Sequence, residues 1–127
     1  MDTASAKSPQ NFKDLLVWQR GMEHAKTIYE MTRRFPADER FGLVAQMRRC
    51  AVSIPSNLAE GQARHTTGEF IQFISHSEGS LAELETQLRL SVEIGYCSAA
   101  ETENTLAFME ELRKMLNSLR RRLSSAR

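Results

Sequence analysis

The chain has 127 residues, enough for one domain with a buried core, and its 41% hydrophobic and 26% charged residues are ordinary for a globular protein. Three prolines and six glycines leave room for long helices and argue against a turn-rich β fold. The net charge of +1 conceals a segregation: residues 1–68 carry +3, residues 69–111 carry nine acidic side chains against one basic, and residues 112–127 carry six basic side chains and no acidic one. No run approaches the roughly 18 apolar residues of a membrane span, Met1–Gln10 lacks the apolar centre of a signal peptide, and Cys50 and Cys97 form neither a disulfide framework nor a zinc motif. A cytoplasmic protein with free thiols and no membrane partner is the expectation.

Residues 1–11 are small and polar and read as a disordered tail. A first helix is expected over about residues 14–34, with Trp18, Met22, Ala25, Tyr29 and Thr32 at 4-3-4-3 spacing and Val17, Ile28, Met31 and Phe35 widening that stripe until Pro36 stops it. Asp38 is the candidate N-cap of a second helix over 39–61, whose seam is Val44, Met47, Ala51, Ile54 and Leu58. Pro55 interrupts that seam, and because the seam continues to Leu58 a kink is expected there rather than a break, with Gly61 as a candidate terminator. Thr66 and Glu69 form a capping box for a third helix over 67–94, with Phe70, Ile74, Ser77, Leu81, Leu84, Leu88 and Ser91 in heptad register and Gly95 beyond its end. Ser98 and Glu101 form a second box, opening a fourth helix over 99–123 with Leu106, Met109, Leu112, Leu116, Leu119 and Leu123 on its apolar face, followed by a basic tail over 124–127. Short connections force consecutive helices to run antiparallel, so the expected fold is all-α, an up-down-up-down four-helix bundle over residues 12–123.

The middle helices carry a second, polar face opposite their seams. Gln46, Arg49, Ser53, Ser56, Asn57 and Glu60 line it on the second helix, and Gln72, His76, Gly79, Glu83 and Thr86 on the third. A solvated outer face needs no special cause. The small residues Ser53, Ser56 and Gly79, together with Pro55, fit a subunit interface better than plain solvation, and Gly79 in mid-helix would let another backbone approach.

These same residues carry a resemblance. Leu16-Val17-Trp18-Gln19, Arg33-Arg34-Phe35-Pro36, Glu39-Arg40-Phe41-Gly42-Leu43, Gln46-Met47-Arg48-Arg49, Ser53-Ile54-Pro55-Ser56-Asn57-Leu58-Ala59-Glu60-Gly61 and Gly79-Ser80-Leu81-Ala82-Glu83-Leu84-Glu85-Thr86-Gln87-Leu88 together resemble the bacterial 23S rRNA intervening-sequence proteins, over about residues 12–120. That family is similar to the accessory variability protein of diversity-generating retroelements. The resemblance implies a four-helix bundle assembled as a homopentameric ring, no enzymatic activity and no cofactor. For the retroelement relative it implies nucleic-acid binding and partnership with a reverse transcriptase through a basic surface, from which this chain departs with its net charge of +1. Ser53, Pro55, Asn57, Glu60, Gly61, Gly79, Glu83 and Glu85 become candidate interface or structural residues.

Catalytic, cofactor and metal sites are not expected. Dinuclear sites in bundles use Glu-x-x-His pairs, whereas His24 directly follows Glu23, and His65 and His76 lack a Glu three residues before them. No nucleophile elbow or phosphate-binding glycine loop is present. Arg113, Lys114, Arg120, Arg121 and Arg122, with the Arg48–Arg49 pair, are candidate contacts to an RNA or DNA backbone, although basic residues near a helix C-terminus also complement the helix dipole. No aromatic residue interleaves with the C-terminal cluster, so base stacking is not expected. The leading expectation is a non-enzymatic, self-assembling scaffold or adaptor. Its alternatives are a nucleic-acid-binding accessory protein and, third, a small-molecule-binding bundle.

Overall fold

The structure is a computed structural model that describes residues 11–126. Its α-helices are α1 (Leu16–Thr32), α2 (Leu43–Gln62), α3 (Thr67–Glu93) and α4 (Ala99–Ala126), with single 3-10 turns at Phe12–Asp14 and Ala37–Glu39, and the described residues form no strand. Each helix packs on the next and α4 returns to α1, while the backbones of the diagonal pairs stay apart. Thr32 meets Arg48 and Gly21 meets Pro55 across α1 and α2; Met47 meets Ser91 and Gly61 meets Phe73 across α2 and α3. Arg120 reaches Glu78 across α3 and α4, and His24 meets Phe108 across α1 and α4. Numbering falls along one helix as it rises along its neighbour wherever two such contacts define a pair, so the architecture is the expected up-down-up-down four-helix bundle.

Local chemistry explains where the helices begin and end. Glu69 N–H donates to Thr66 Oγ1 at 3.1 Å, starting α3, and Ser98 and Glu101 cap α4 reciprocally at 3.1 and 2.7 Å. Gly95 takes φ +86°, and the amides of Gly95 and Tyr96 donate back to the Val92 and Ser91 carbonyls, the Schellman pattern that closes α3. Asp38 does not cap α2; it sits in the 3-10 turn, and α2 begins at Leu43. Glu39 takes the capping role, because its longer side chain reaches forward: Oε1 accepts from Leu43 N–H at 3.1 Å and Oε2 accepts from the Tyr96 hydroxyl at 2.5 Å. These bonds hold the Glu39 carboxyl below the usual carboxylate range and push the Tyr96 phenol up to about 12.

Pro55 does not break α2, which runs unbroken to Gln62. Side-chain donors gather around the proline turn instead. Asn57 Nδ2 donates to the Ser53 carbonyl, and Ser77 Oγ from α3 donates to the Ile54 carbonyl, each at 2.8 Å. Gly61 lies inside the helix and does not terminate it. A Cβ there would stand 2.6 Å from Phe73 Cβ and 3.0 Å from Phe70 Cδ1, so this glycine sets how closely α2 and α3 approach. The tail expected over residues 1–11 lies outside the described residues except for Asn11, which caps the first 3-10 turn through Lys13 N–H at 2.8 Å. At the other end α4 continues through Ser124–Ala126, where a tail was expected, and Arg127 lies outside the described residues.

The core follows the expected seams on α2, α3 and α4. Met47, Ala51, Ile54, Leu58, Ile74, Leu84, Leu88, Leu112 and Leu116 are fully buried. On α1 the buried stripe is rotated from the expected one. Gly21, His24, Ala25, Ile28 and Met31 face inward, while Met22 and Tyr29 are exposed at 48% and 38%. Gly21 faces α2, its Cβ position lying at the ordinary contact distance of 3.6 Å from Ile54 and Pro55.

His24 is fully buried, edge-on to Phe108, and neither ring nitrogen has a protein hydrogen-bond partner. Burial lowers its pKa from 6.5 to about 4. The unfolded chain therefore binds more protons than the folded chain between these values, so this contribution to stability is complete above pH 6.5 and is lost as pH falls toward 4. The shift corresponds to roughly 3 kcal/mol. Urea unfolding at pH 7 and at pH 4 should show a loss for the wild type larger than that of His24→Leu by about this amount; equal losses would remove His24 as the cause. A second pair of substitutions separates the two helical glycines. Gly61→Ala should lower stability by about 1–2 kcal/mol, as overpacking against Phe73 outweighs the gain in helix propensity. Gly79→Ala, where a Cβ meets nothing within 4 Å in the chain, should raise monomer stability by about 1 kcal/mol. Urea midpoints for both variants check the two signs.

Candidate interaction surfaces

Three surfaces outside the core gather the residues of interest. The first is an open groove of about 490 Å³ between α1 and α2, lined by Phe12, Trp18, Met22, Ala25, Lys26, Tyr29, Val52, Pro55, Ser56 and Ala59. Its lower end is walled by Trp18 against Phe12, edge-on at 5.2 Å between ring centroids. Its upper end is closed by Arg48, whose guanidinium lies 4.6 Å from the Tyr29 ring centroid and donates to Thr32 Oγ1 at 2.9 Å. Between these walls Met22 and Val52 stand 48% and 42% exposed, and Lys26 sits at the edge.

The second surface is the polar face of α2 and α3. Here Ser53, Asn57 and Ser80 come together: Ser53 and Ser80 hydroxyls bond at 2.8 Å, and Asn57 Nδ2 donates to Ser53 Oγ at 2.8 Å. These groups are satisfied within the chain. Gln87 Nε2 donates to Glu83 at 3.4 Å and Gln46 at 3.5 Å, roofing Cys50. Burial, with the Glu83 carboxylate beside it, pushes the Cys50 thiol up to about 11, which keeps it protonated and unreactive near neutral pH. Pro55 is buried against α1, Glu60 pairs with Arg64 at 3.5 Å, and Glu85 pairs with Arg89 at 3.0 Å. Gly79, next to Ser80, is exposed, and a Cβ there would meet nothing within 4 Å. Toward the end of α3, Leu90 and the C-cap residue Ile94 are each 48% exposed.

The third surface is the second half of α4. Leu15, Leu16, Val17, Met115, Ser118 and Leu119 line an open groove of about 300 Å³ flanked by Lys114 and Arg122. Of the seven candidate basic contacts, Arg113 is bonded to Glu110 and Arg120 to Glu78 at 3.0 Å, so these two charges are engaged by carboxylates of the chain. Arg48 bonds the Thr32 hydroxyl and lies over the Tyr29 ring, and among the described residues Arg48, Arg49, Lys114, Arg121 and Arg122 have no carboxylate within ion-pair distance. Among the described residues no three His, Cys, Asp or Glu side chains gather as metal ligands, and no helix is long and apolar enough to cross a membrane. The apolar periodicity of α1 places Trp18, Met22 and Tyr29 in the core and so hides the α1/α2 groove; the inward residues Gly21 and His24 give no apolar signal that the stripe turns the other way.

No curated protein matches the chain. A solved structure of a protein of unknown function from the S23 ribosomal protein family of Bacteroides thetaiotaomicron superposes with a TM-score of 0.73 at 22% identity, covering 82% of this chain and 97% of that one. This likeness supports the helical fold. The family model of the 23S rRNA-intervening sequence proteins matches residues 13–118, nearly the whole described bundle, and the chain belongs to that family.

Proposed function

We propose that the protein is a non-enzymatic, self-assembling scaffold or adaptor. The observation that supports this reading most directly is the α1/α2 groove, where Met22, Tyr29 and Val52 keep large apolar surface in water although the bundle already has a full core. Burying one such side chain completely is worth about 1.5–3 kcal/mol. A contiguous apolar surface of this kind favours association with another protein surface. The homopentameric ring implied by the resemblance is one form such an assembly takes. Multi-angle light scattering across micromolar concentrations should give a mass several times that of the 14.5 kDa chain. A monomer mass throughout that range would contradict the reading.

A second reading, an accessory protein that binds an RNA or DNA backbone and partners a reverse transcriptase, draws on Lys114, Arg121 and Arg122 clustered on α4, which among the described residues form no ion pair. Symmetry in an assembly would multiply these charges. Binding to a nucleic-acid duplex at low salt should weaken steeply as salt rises and fall further in Arg121→Ala/Arg122→Ala. An absence of binding at low salt would rule the second reading out.

A further inference from the structure

We propose that a pocket at the turn between α1 and α2 binds a small phosphomonoester of the mononucleotide kind. Its phosphoryl group would lie on Arg33, Arg40 and Arg48 and its aromatic body against Phe41. This binding is independent of self-assembly. Pro36 stops α1, and the 3-10 turn at Ala37–Glu39 folds the chain back. Arg33 at the C-cap of α1, Arg40 after the turn and Arg48 on α2 thereby line one pocket of about 280 Å³, against Thr32, Phe35 and Val44. Among the described residues, Arg33, Arg40 and Arg48 form no ion pair. Glu39, a carboxylate of the same turn, is occupied by the Leu43 amide and the Tyr96 hydroxyl. Asp38 is exposed and does not line the pocket. Like charges gathered without a carboxylate repel one another, and a bound anion relieves that repulsion.

Arg48 is already held in place. Its Nε donates to Thr32 Oγ1 at 2.9 Å, its Nη2 donates to the Tyr29 carbonyl at 3.3 Å, and its guanidinium lies 4.6 Å from the Tyr29 ring centroid. A guanidinium carries five N–H donors, and these two bonds leave three for a ligand. The bond to Tyr29 lies near the end of α1, where any cation is favoured. That accounts for Arg48 but not for Arg33 and Arg40, which stand exposed. A phosphomonoester supplies nearly two negative charges on three acceptor oxygens, a match for guanidinium forks converging on one point. A backbone phosphodiester spreads single charges along a strand, which suits a row of cations better than a compact pocket. Phe41 adds the second half of the recognition. It is 85% exposed, and the Arg40 guanidinium lies 4.8 Å from its ring centroid. An aromatic ring left in water beside a phosphate site offers a stacking surface to a planar body.

Isothermal titration calorimetry on the full chain at low salt, with adenosine 5′-monophosphate as the probe, tests this. The nucleotide should bind saturably. Adenosine and inorganic phosphate, each lacking half of the recognised group, should bind at least about tenfold more weakly. Arg33→Ala and Arg40→Ala change exposed side chains that form no ion pair, so circular dichroism should stay helical. Each should weaken the nucleotide by about tenfold. Phe41→Ala should weaken it as well, and Arg121→Ala/Arg122→Ala should bind as the wild type does. Absence of nucleotide binding, equal binding of adenosine or inorganic phosphate, or wild-type affinity in Arg33→Ala and Arg40→Ala would overturn the proposal. So would displacement of the nucleotide by an equal concentration of a single-stranded oligonucleotide without a terminal phosphate, which would point to a nucleic-acid backbone instead.

Discussion

Helix α1 has two neighbours, α2 and α4, and more apolar surface than two neighbours cover. Ile28, Met31 and Ala25 fill the space between them, and Gly21 faces Ile54 and Pro55 of α2 at ordinary contact distance. These inward residues, with His24, set the rotation of the helix. With Gly21 and His24 turned inward, Trp18, Met22 and Tyr29 necessarily turn toward the outer side of the α1/α2 cleft. The outer groove and the buried imidazole are therefore two consequences of one packing choice. A rotation that buried Met22 and Tyr29 would turn His24 toward solvent.

The α2–α3 pair is the most extensively packed in the bundle. Gly61 brings the two helices close at one end, and Ser77 reaches across to the Ile54 carbonyl at the proline turn. Ser53 and Ser80 close the outer edge, and Ser91 lies on Met47 toward the other end. Small hydroxylated residues do here what large apolar ones do elsewhere: they let backbones approach and satisfy the polar groups that the approach buries. Glu39 then ties the start of α2 to the α3–α4 turn through Tyr96. This framework holds α3 and the α2 wall of the groove in fixed relation.

Periodicity was sufficient where a seam is narrow and its positions are all apolar. Val44, Met47, Ala51, Ile54 and Leu58 on α2 could face inward in only one way, and the two capping boxes marked the starts of α3 and α4. It was insufficient on α1, where apolar residues span so wide an arc that two rotations fit equally well. The residues that decide between them, a glycine and a histidine, carry no weight in an apolar pattern. Glu39 was passed over for Asp38 because both lie in the same turn and only the longer side chain reaches Leu43. The polar face was visible as a pattern, yet what its members do was not: Ser53 and Asn57 bond within the chain, Gly61 packs on Phe73, and Gly79 faces open space. Likewise, charge counts could not show that Arg113 and Arg120 are already engaged by glutamates of their own chain.

The central claim is that a protein surface covers the α1/α2 groove in solution. Hydroxyl-radical oxidation of the methionines, followed by mass spectrometry as protein concentration is raised, tests it most directly. Met22 is 48% exposed in the single chain and Met109 is 1% exposed, which provides an internal reference for burial. Coverage requires the oxidation rate of Met22 to fall toward that of Met109 with rising concentration. A Met22 rate that stays high and independent of concentration would contradict it.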